Sequence, residues 1–339
     1  MIKSLIARVV DGKDLDAAAM EQAVDAILRG DVSPVQIAGL LIALRMKGET
    51  VEELTAAASV MRRHAVPVVT RAAEPVLDTC GTGGDGSDSF NISTVAAVVV
   101  AACGVTVAKH GNRAATSKSG SADVLEALGI DLNLTPERIG RSIDELGIGF
   151  MFARVHHPAM KHAAPVRAEL GARTLFNWLG PLTNPAGATH QLLGVGDPSR
   201  LEIMAEVLGR LGSKGAWVVH GHGGLDEVSL SGPTRVAALR GGEVHCFQVE
   251  SSDFGIEPAD VSALRGGDAA HNAEIARAVL GGERGPRRDA VVVNAGAALC
   301  AAGASSSPRD AAARAAAAID SGAARAKLAA WVSFAGSAA

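Results

Sequence analysis

The sequence predicts a two-part α/β protein. A small all-helical N-terminal domain spans residues 1–70, joined by helices from about 160–187, and a large α/β domain with a mainly parallel central sheet spans 75–339. Three observations predict this. Residues 1–70 carry only helical periodicity and helix caps. After residue 75, short apolar runs alternate with helical stretches, the pattern of a parallel sheet covered on both faces. The first of those runs leads into a glycine-rich loop and then a small-residue helix, an arrangement suited to phosphate.

In the N-terminal part, Leu15 to Leu28 reads as a helix closed by Gly30. Ser33-Pro34 supplies an N-cap and a proline at the first helical position, and Ile37, Leu40, Leu41 and Leu44 follow at helical spacing. Thr50 and Glu53 form a capping box for a helix through about Arg63. Pro67 and Pro75 bracket a linker. The expected strands are 75–79, 105–109, 148–153, 190–195, 216–220 and 290–294, with helices opening at Thr135-Pro136 and Pro198-Ser199. Thr234–Leu239 and Glu243–Val249 flank Arg240-Gly241-Gly242 and read as an antiparallel hairpin at an edge. Residues 311–330 read as one alanine-rich terminal helix. The stretch 155–187, with Pro158, Pro165, Pro181 and Pro185, interrupts the alternation and holds a helical segment around Lys161 to Leu170. It would rejoin the N-terminal helices and leave a cleft between two lobes.

Composition narrows the function. A chain of 339 residues with 48% apolar content can bury a sizeable core. The net charge of −4 and the lack of a long basic run argue against nucleic acid as partner. Aromatic residues make up 3% and tyrosine is absent, so stacking platforms for single strands are not expected. Cys80, Cys103, Cys246 and Cys300 are far apart and read as reduced, buried thiols of a cytoplasmic protein. No long apolar stretch precedes Arg8 and Asp11, so no signal segment is expected.

The glycine loop runs Asp78-Thr79-Cys80-Gly81-Thr82-Gly83-Gly84-Asp85-Gly86 and continues to Asn91-Ile92-Ser93-Thr94. Glycine lets the backbone approach an anion and tolerates positive φ, and the free N–H groups of the following helix favour negative charge. Gly81, Gly83 and Gly86 fit the spacing G-x-G-x-x-G of dinucleotide sites. That motif opens its helix at once and is followed by a strand ending in an acidic residue. Here the helix waits until about Ser93 and the next strand ends in Lys109-His110, so nicotinamide binding is rejected.

A second polar loop, Lys109 to Ser121, places three cations and four hydroxyls after a strand. Loops at the carboxyl ends of parallel strands share one crevice, so the two loops should face each other around a polyphosphate. A third cluster, His220-Gly221-His222-Gly223-Gly224-Leu225-Asp226-Glu227, sets adjacent carboxylates in a glycine loop, which suits Mg²⁺ better than zinc. His156, His157 and His162 lack the spacing of a ligand pair and read as a polar helix start. Arg154 or Arg167 could fork a substrate carboxylate.

These motifs together resemble the anthranilate phosphoribosyltransferase family. The resemblance rests on Asp-Thr-Cys-Gly-Thr-Gly-Gly-Asp at 78–85, Phe-Asn-Ile-Ser-Thr at 90–94 and Lys-His-Gly-Asn-Arg at 109–113. It extends through His-Pro-Ala-Met-Lys at 157–161, Arg-Thr-Leu-Phe-Asn at 173–177, Leu-Gly-Pro-Leu-Thr-Asn-Pro at 179–185 and Gly-Leu-Asp-Glu at 224–227. It implies a nucleoside phosphorylase/phosphoribosyltransferase-like architecture, a homodimer formed through the helical part, and transfer of the phosphoribosyl group of phosphoribosyl diphosphate (PRPP) to anthranilate in tryptophan biosynthesis. Carried over by position, it implies that PRPP meets Gly81, Gly84, Asp85, Ser89, Asn91, Ile92, Ser93, Thr94, Lys109, His110, Gly111, Asn112, Arg113, Ala114, Ala115, Thr116, Ser117 and Ser121. Anthranilate would meet Gly81, His110, Asn112 and Arg167, and Mg²⁺ would meet Ser93, Asp226 and Glu227. No covalent nucleophile is implied. The competing readings are a pyrimidine nucleoside phosphorylase and a non-catalytic nucleic-acid-binding relative.

Overall fold

The computed structural model describes residues 1–114 and 118–336; the expected site residues Ala115, Thr116 and Ser117 lie outside that description. Four helices come first: α1 (Ile2–Val10), α2 (Ala17–Arg29), α3 (Pro34–Lys47) and α4 (Val51–His64). Their caps are those read from the sequence. Gly30 closes α2 in the left-handed conformation, and Ser33 with Gln36 and Thr50 with Glu53 each form a reciprocal capping box.

The α/β part follows as β1 (Val76–Gly81), α5 (Ile92–Ala102), β2 (Thr106–Gly111), α6 (Ser121–Leu128), α7 (Pro136–Leu146) and β3 (Ile148–Phe152). Three short helices interrupt it: α8 (Ala153–His156), α9 (Ala164–Leu170) and α10 (Leu175–Leu179). It resumes with β4 (His190–Gly194), α11 (Leu201–Arg210), β5 (Gly215–His220), β6 (Thr234–Arg240) and β7 (Glu243–Val249). Four helices complete the described chain: α12 (Ala269–Leu280), α13 (Pro286–Ala301), α14 (Pro308–Asp320) and α15 (Ala323–Gly336).

One sheet carries all the strands in the order β3-β2-β1-β4-β5-β6-β7. The pairs from β3 to β5 are parallel, and β6 and β7 form the expected antiparallel hairpin at the edge. The chain builds from β1 towards β3 and then crosses to β4 on the other side of β1. The order therefore reverses between β1 and β4, and the crevice beyond their carboxyl ends is where such sheets take ligands.

The two faces of β4 to β6 enter different cores. Leu193, Ala216, Val218, Ala237 and Leu239 are buried with α1–α4, α9, α10 and α11. Leu192, Val219, Val236 and Ala238 are buried with α5, α13 and α14 on the opposite side. This is the two-residue period of a strand read on its two faces. Segment 163–182 sits in the first of these cores, through Ala163, Val166, Leu175, Phe176, Trp178, Leu179 and Leu182.

Several expectations are corrected. Residues 290–294 are not a strand but the middle of α13, whose positions from Ala290 to Leu299 are all buried. A helix buried all round has no polar face, so its short apolar run is indistinguishable from a core strand by periodicity. Residues 311–330 are two helices, broken at Ser321-Gly322 where Gly322 takes φ +79°. Cys246 is exposed on β7, although all four thiols are free. His156 and His157 are no polar helix start. Both are buried, and the His156 ring donates from Nδ1 to the Val66 carbonyl at 2.8 Å. Among the described residues, no helix is long and apolar enough to cross a membrane.

Candidate active site

The geometry at the strand-order reversal starts from two glycines. Gly81 at the end of β1 lies directly opposite Gly194 at the end of β4. A Cβ at Gly81 would run into the Asp226 carboxylate, and a Cβ at Gly194 into the Asp226 backbone carbonyl. The bare backbone at both strand ends is therefore what lets the 221–228 segment close over the crevice. The glycine loop folds against it: Thr82 N–H donates to the Gly194 carbonyl at 2.9 Å, and Gly83 N–H to Asp226 Oδ2 at 2.8 Å. Gly83 and Gly84 take φ +70° and +65°, a backbone that side chains strain.

Helix α5 begins one residue earlier than expected, with Asn91 at its N-cap. Ser93 N–H donates to Glu227 Oε1 at 3.0 Å, so the third cluster also grips this helix start. Thr94 Oγ1 is buried with no hydrogen-bond partner. Ile92 is a core residue, and its N–H donates to the Phe90 carbonyl at 2.7 Å. Asp85 accepts from Ser87 N–H at 3.1 Å and from Asp226 N–H at 3.4 Å.

The second loop comes up beside the first, as two neighbouring strand ends require. Asn91 Nδ2 donates to the Ser119 carbonyl at 3.1 Å. Asp123 accepts from Ala114 N–H at 3.0 Å and Gly120 N–H at 2.9 Å, drawing the loop's two ends together. Arg113 pairs with Asp123 and Glu126, and Ser121 Oγ donates to the Asn112 carbonyl at 3.3 Å. Ser121 also fills the space a Cβ at Gly111 would need. Asn112 is exposed, and its Oδ1 accepts from Arg113 N–H.

Lys109 lies beneath these loops, 1% exposed, with its ammonium donating to the Thr79 carbonyl. Its charge faces Asp78, which accepts from Asn184 Nδ2 at 2.8 Å and His110 N–H at 3.1 Å. Burial pushes the Asp78 carboxyl up to about 6, against the pull of Lys109, and burial lowers the Lys109 ammonium. The His110 ring is buried 5.1 Å from that of His157, and burial holds it neutral, well below its ordinary value.

The two carboxylates of the third cluster are the most perturbed acids near the crevice. Burial, with the Asp85 charge second, raises Asp226 to about 7; burial, with Asp226 second, raises Glu227 to about 8. Two buried carboxyls beside an anion-binding loop suit a cation. No three His, Cys, Asp or Glu side chains form a ready cage among the described residues. Mg²⁺ fits such a place, because it keeps waters and takes one or two carboxylates plus substrate phosphates. Zinc, which needs a closed set of nitrogen and sulfur ligands, does not; the His220 ring instead donates to the Val195 carbonyl at 2.8 Å.

Comparison with known proteins agrees with this geometry. Residues 73–325 match the model described as glycosyl transferase family, a/b domain, and residues 3–65 that described as glycosyl transferase family, helical bundle domain. The anthranilate phosphoribosyltransferase of Symbiobacterium thermophilum is 56% identical over 324 residues, 96% of this chain and 95% of that relative. The chain belongs to the anthranilate phosphoribosyltransferase family. The family's crystal structure from Thermus thermophilus superposes with a TM-score of 0.93 at 48% identity, covering 98% of this chain and 99% of that one. The family's Saccharomyces cerevisiae member, solved in complex with PRPP and Mg, superposes with a TM-score of 0.90 at 28% identity, covering 98% and 97%. The nucleoside phosphorylase and nucleic-acid-binding readings are set aside on this match.

Of the residues that the family resemblance assigned, the fold brings Gly81, Gly84, Asp85, Ser89, Asn91, Ser93 and Thr94 to one crevice with Asp226 and Glu227. Gly111, Asn112, Arg113, Ala114 and Ser121 join them on the second loop through the Asn91–Ser119 bond. Arg167 stands on α9, its guanidinium 5.8 Å over the Phe176 ring, with Nε buried and unpartnered. Three contributors escaped sequence reading. Gly194 ends a strand, where the sequence shows no glycine loop. Arg173 donates to the Gly83 carbonyl and stacks 5.8 Å over Trp178. Asn272 reaches Asn91 from 181 positions away. The only sequence signal for Arg173 was its place in the family-like Arg-Thr-Leu-Phe-Asn run.

Proposed function

We infer that this chain joins the anthranilate amine to C1 of PRPP, giving N-(5-phosphoribosyl)anthranilate and diphosphate. The observation that carries this is the pair Asp226 and Glu227, buried over Gly81 and Gly194 and bonded to both the glycine loop and the start of α5. In the reaction the C1–O bond to diphosphate breaks and a C1–N bond forms, and the amine releases a proton. Anthranilate's amine is neutral near pH 7, so positioning and charge stabilisation can carry the chemistry without a covalent nucleophile. The loop N–H groups from Gly83 to Asp85, the α5 N-terminus and Thr94 Oγ1 face the diphosphate. Mg²⁺, held by Asp226, Glu227 and Ser93, would neutralise charge growing on the leaving group. The neutral His110 ring and Asn112 border the anthranilate end.

The helices of 1–70 with those of about 160–187 form one lobe of this reading, and the α/β part from 75 onward the other. Val10, Val35 and Met46 leave apolar side chains exposed on α1 and α3, which supports a homodimer through the helical part in a cytoplasmic enzyme. Sedimentation showing only monomer at micromolar concentration would remove the dimer.

The direct test is loss of anthranilate fluorescence on mixing protein, anthranilate, PRPP and Mg²⁺. Turnover that stops in excess chelator is expected; no turnover, or full turnover in chelator, overturns the reading.

Arg167 is assigned to the anthranilate carboxylate. Among the described residues its side chain has no hydrogen bond or ion pair, and Phe176 already orients its plane. A charge-assisted fork contributes about 1.5–3 kcal/mol. Arg167→Ala should therefore raise the Michaelis constant for anthranilate by about 10- to 150-fold, with that for PRPP moving far less. Arg154, exposed on α8, is the control. A larger shift from Arg154→Ala would place the carboxylate on the wrong arginine.

A further inference from the structure

We propose that Asn272 on α12 is a positioning residue that locks Asn91, and through it the two substrate-binding loops, into one register. The inference rests on the reading of Asn91 as part of the PRPP site. Asn272 is 2% exposed and lies at the centre of a relay of three hydrogen bonds. Its Oδ1 accepts from Gly267 N–H at 2.8 Å, its Nδ2 donates to Asn91 Oδ1 at 2.9 Å, and Asn91 Nδ2 donates to the Ser119 carbonyl at 3.1 Å.

The polarity of this relay cannot reverse. It begins at a backbone N–H, which only donates, and ends at a backbone carbonyl, which only accepts. Each amide has one orientation that satisfies both neighbours. Asn91 is thereby fixed at the N-cap of α5, where its side chain would otherwise be free to turn, and the loop carrying Ser119 and Ser121 is fastened to the glycine loop. The segment bearing the relay is itself pressed against that loop. Phe90 N–H donates to the Leu264 carbonyl at 3.0 Å, and Gly266 N–H to the Asp88 carbonyl at 2.8 Å. A Cβ at Gly266 would come within 2.7 Å of Asn272 Oδ1 and 2.8 Å of Phe90 Cα, so this approach needs glycine.

A relay that positions differs from one that merely stabilises in what it moves. Its loss should weaken the substrate held by the fastened loops and spare the other. It should also have no further effect once Asn91 has lost its amide.

The test is a double-mutant cycle on the full-length enzyme with hydrogen exchange beside it. Asn272→Ala should raise the Michaelis constant for PRPP about tenfold, the weight of one net hydrogen bond, and leave that for anthranilate within about twofold. In an Asn91→Ala background the same change should alter the PRPP constant by less than about twofold. Asn272→Asp keeps the bond from Gly267 but sets an oxygen against Asn91 Oδ1, so it should match the alanine variant on PRPP and guard against a folding artefact. Without substrate, amide exchange over residues 119–121 should quicken in both variants while β1 and β4 stay protected. Additive effects in the cycle, equal loss for both substrates, or unchanged exchange over 119–121 would overturn the proposal. A wild-type protein without turnover would overturn the reading of the site instead, and the exchange result alone would then decide whether the relay holds the loops.

Discussion

Asp226→Asn combined with Glu227→Gln should cut turnover by about 10³-fold or more and, at pH 8 without ligands, raise the melting temperature. The two effects have one cause. Both carboxyls are buried, Asp226 beside Asp85 and Glu227 beside Asp226, which raises them to about 7 and about 8 from ordinary values of 3.8 and 4.5. An acid whose pKa rises on folding binds more protons folded than unfolded. Stability then falls as pH climbs from about 4 to about 8, and is regained as the groups protonate. The isosteric amides remove that penalty, worth on the order of a few kcal/mol for the pair, and still offer an oxygen to Gly83 N–H and Ser93 N–H. A gain of about 5 °C follows for a chain of this size. The same charges are what a divalent cation and its diphosphate need, so activity moves the other way. Calorimetry at pH 6 and pH 8 in chelator, beside the fluorescence assay, checks both. Melting points of the variant at or below wild type at pH 8 would mean that the carboxylates are already compensated. Full turnover would mean that the cation is held elsewhere.

Gly194→Ala should lower kcat/KM by about 100-fold, although the residue carries no chemistry. Its Cβ would fall on the Asp226 backbone carbonyl, and neither β4 nor the 221–228 segment has slack. Gly194 is paired with Gly81 and Val219 on its two sides. The carbonyl must therefore move, taking both carboxylates out of line with the glycine loop, and a misplacement of about 1 Å is enough for a loss of this size. Gly83→Ala is the comparison. Its Cβ meets nothing within 4 Å, and only its φ of +70° is strained, so it should weaken PRPP binding by about tenfold at most. Circular dichroism and a melting curve for each variant separate misplacement from unfolding. A Gly194→Ala enzyme that is folded and within about threefold of wild type would mean that the 221–228 segment is free to shift.

Local chemistry accounts for what the sequence determined alone. The capping boxes at Ser33 and Thr50, the left-handed stop at Gly30, five of the six expected strands and the edge hairpin all follow from interactions within a few residues. So does the glycine loop before α5, since positive φ at Gly83 and Gly84 is a property of the chain at that point. The failures share the opposite character. Residues 290–294 read as a strand because burial on every side erased the helical period, and burial is decided by what packs around α13. His156 and His157 read as polar because nothing nearby shows that Val66 and His110 will close over them.

The site divides along the same line. The sequence by itself determined which segments bear the chemistry: the loop from Asp78, the loop from Lys109 and the pair Asp226-Glu227. Only the tertiary structure decided how they meet. The reversal of strand order between β1 and β4 sets Gly81 against Gly194 and leaves the gap that Asp226 fills. It buries Lys109 under the loop instead of at its lip, and brings Asn272 within 2.9 Å of Asn91. The physical reason is the range of each interaction. Propensity, capping and turn geometry act over a few residues and are written in local order. The packing of two cores against opposite faces of one sheet joins residues more than a hundred positions apart, and no local pattern encodes which partner each will find.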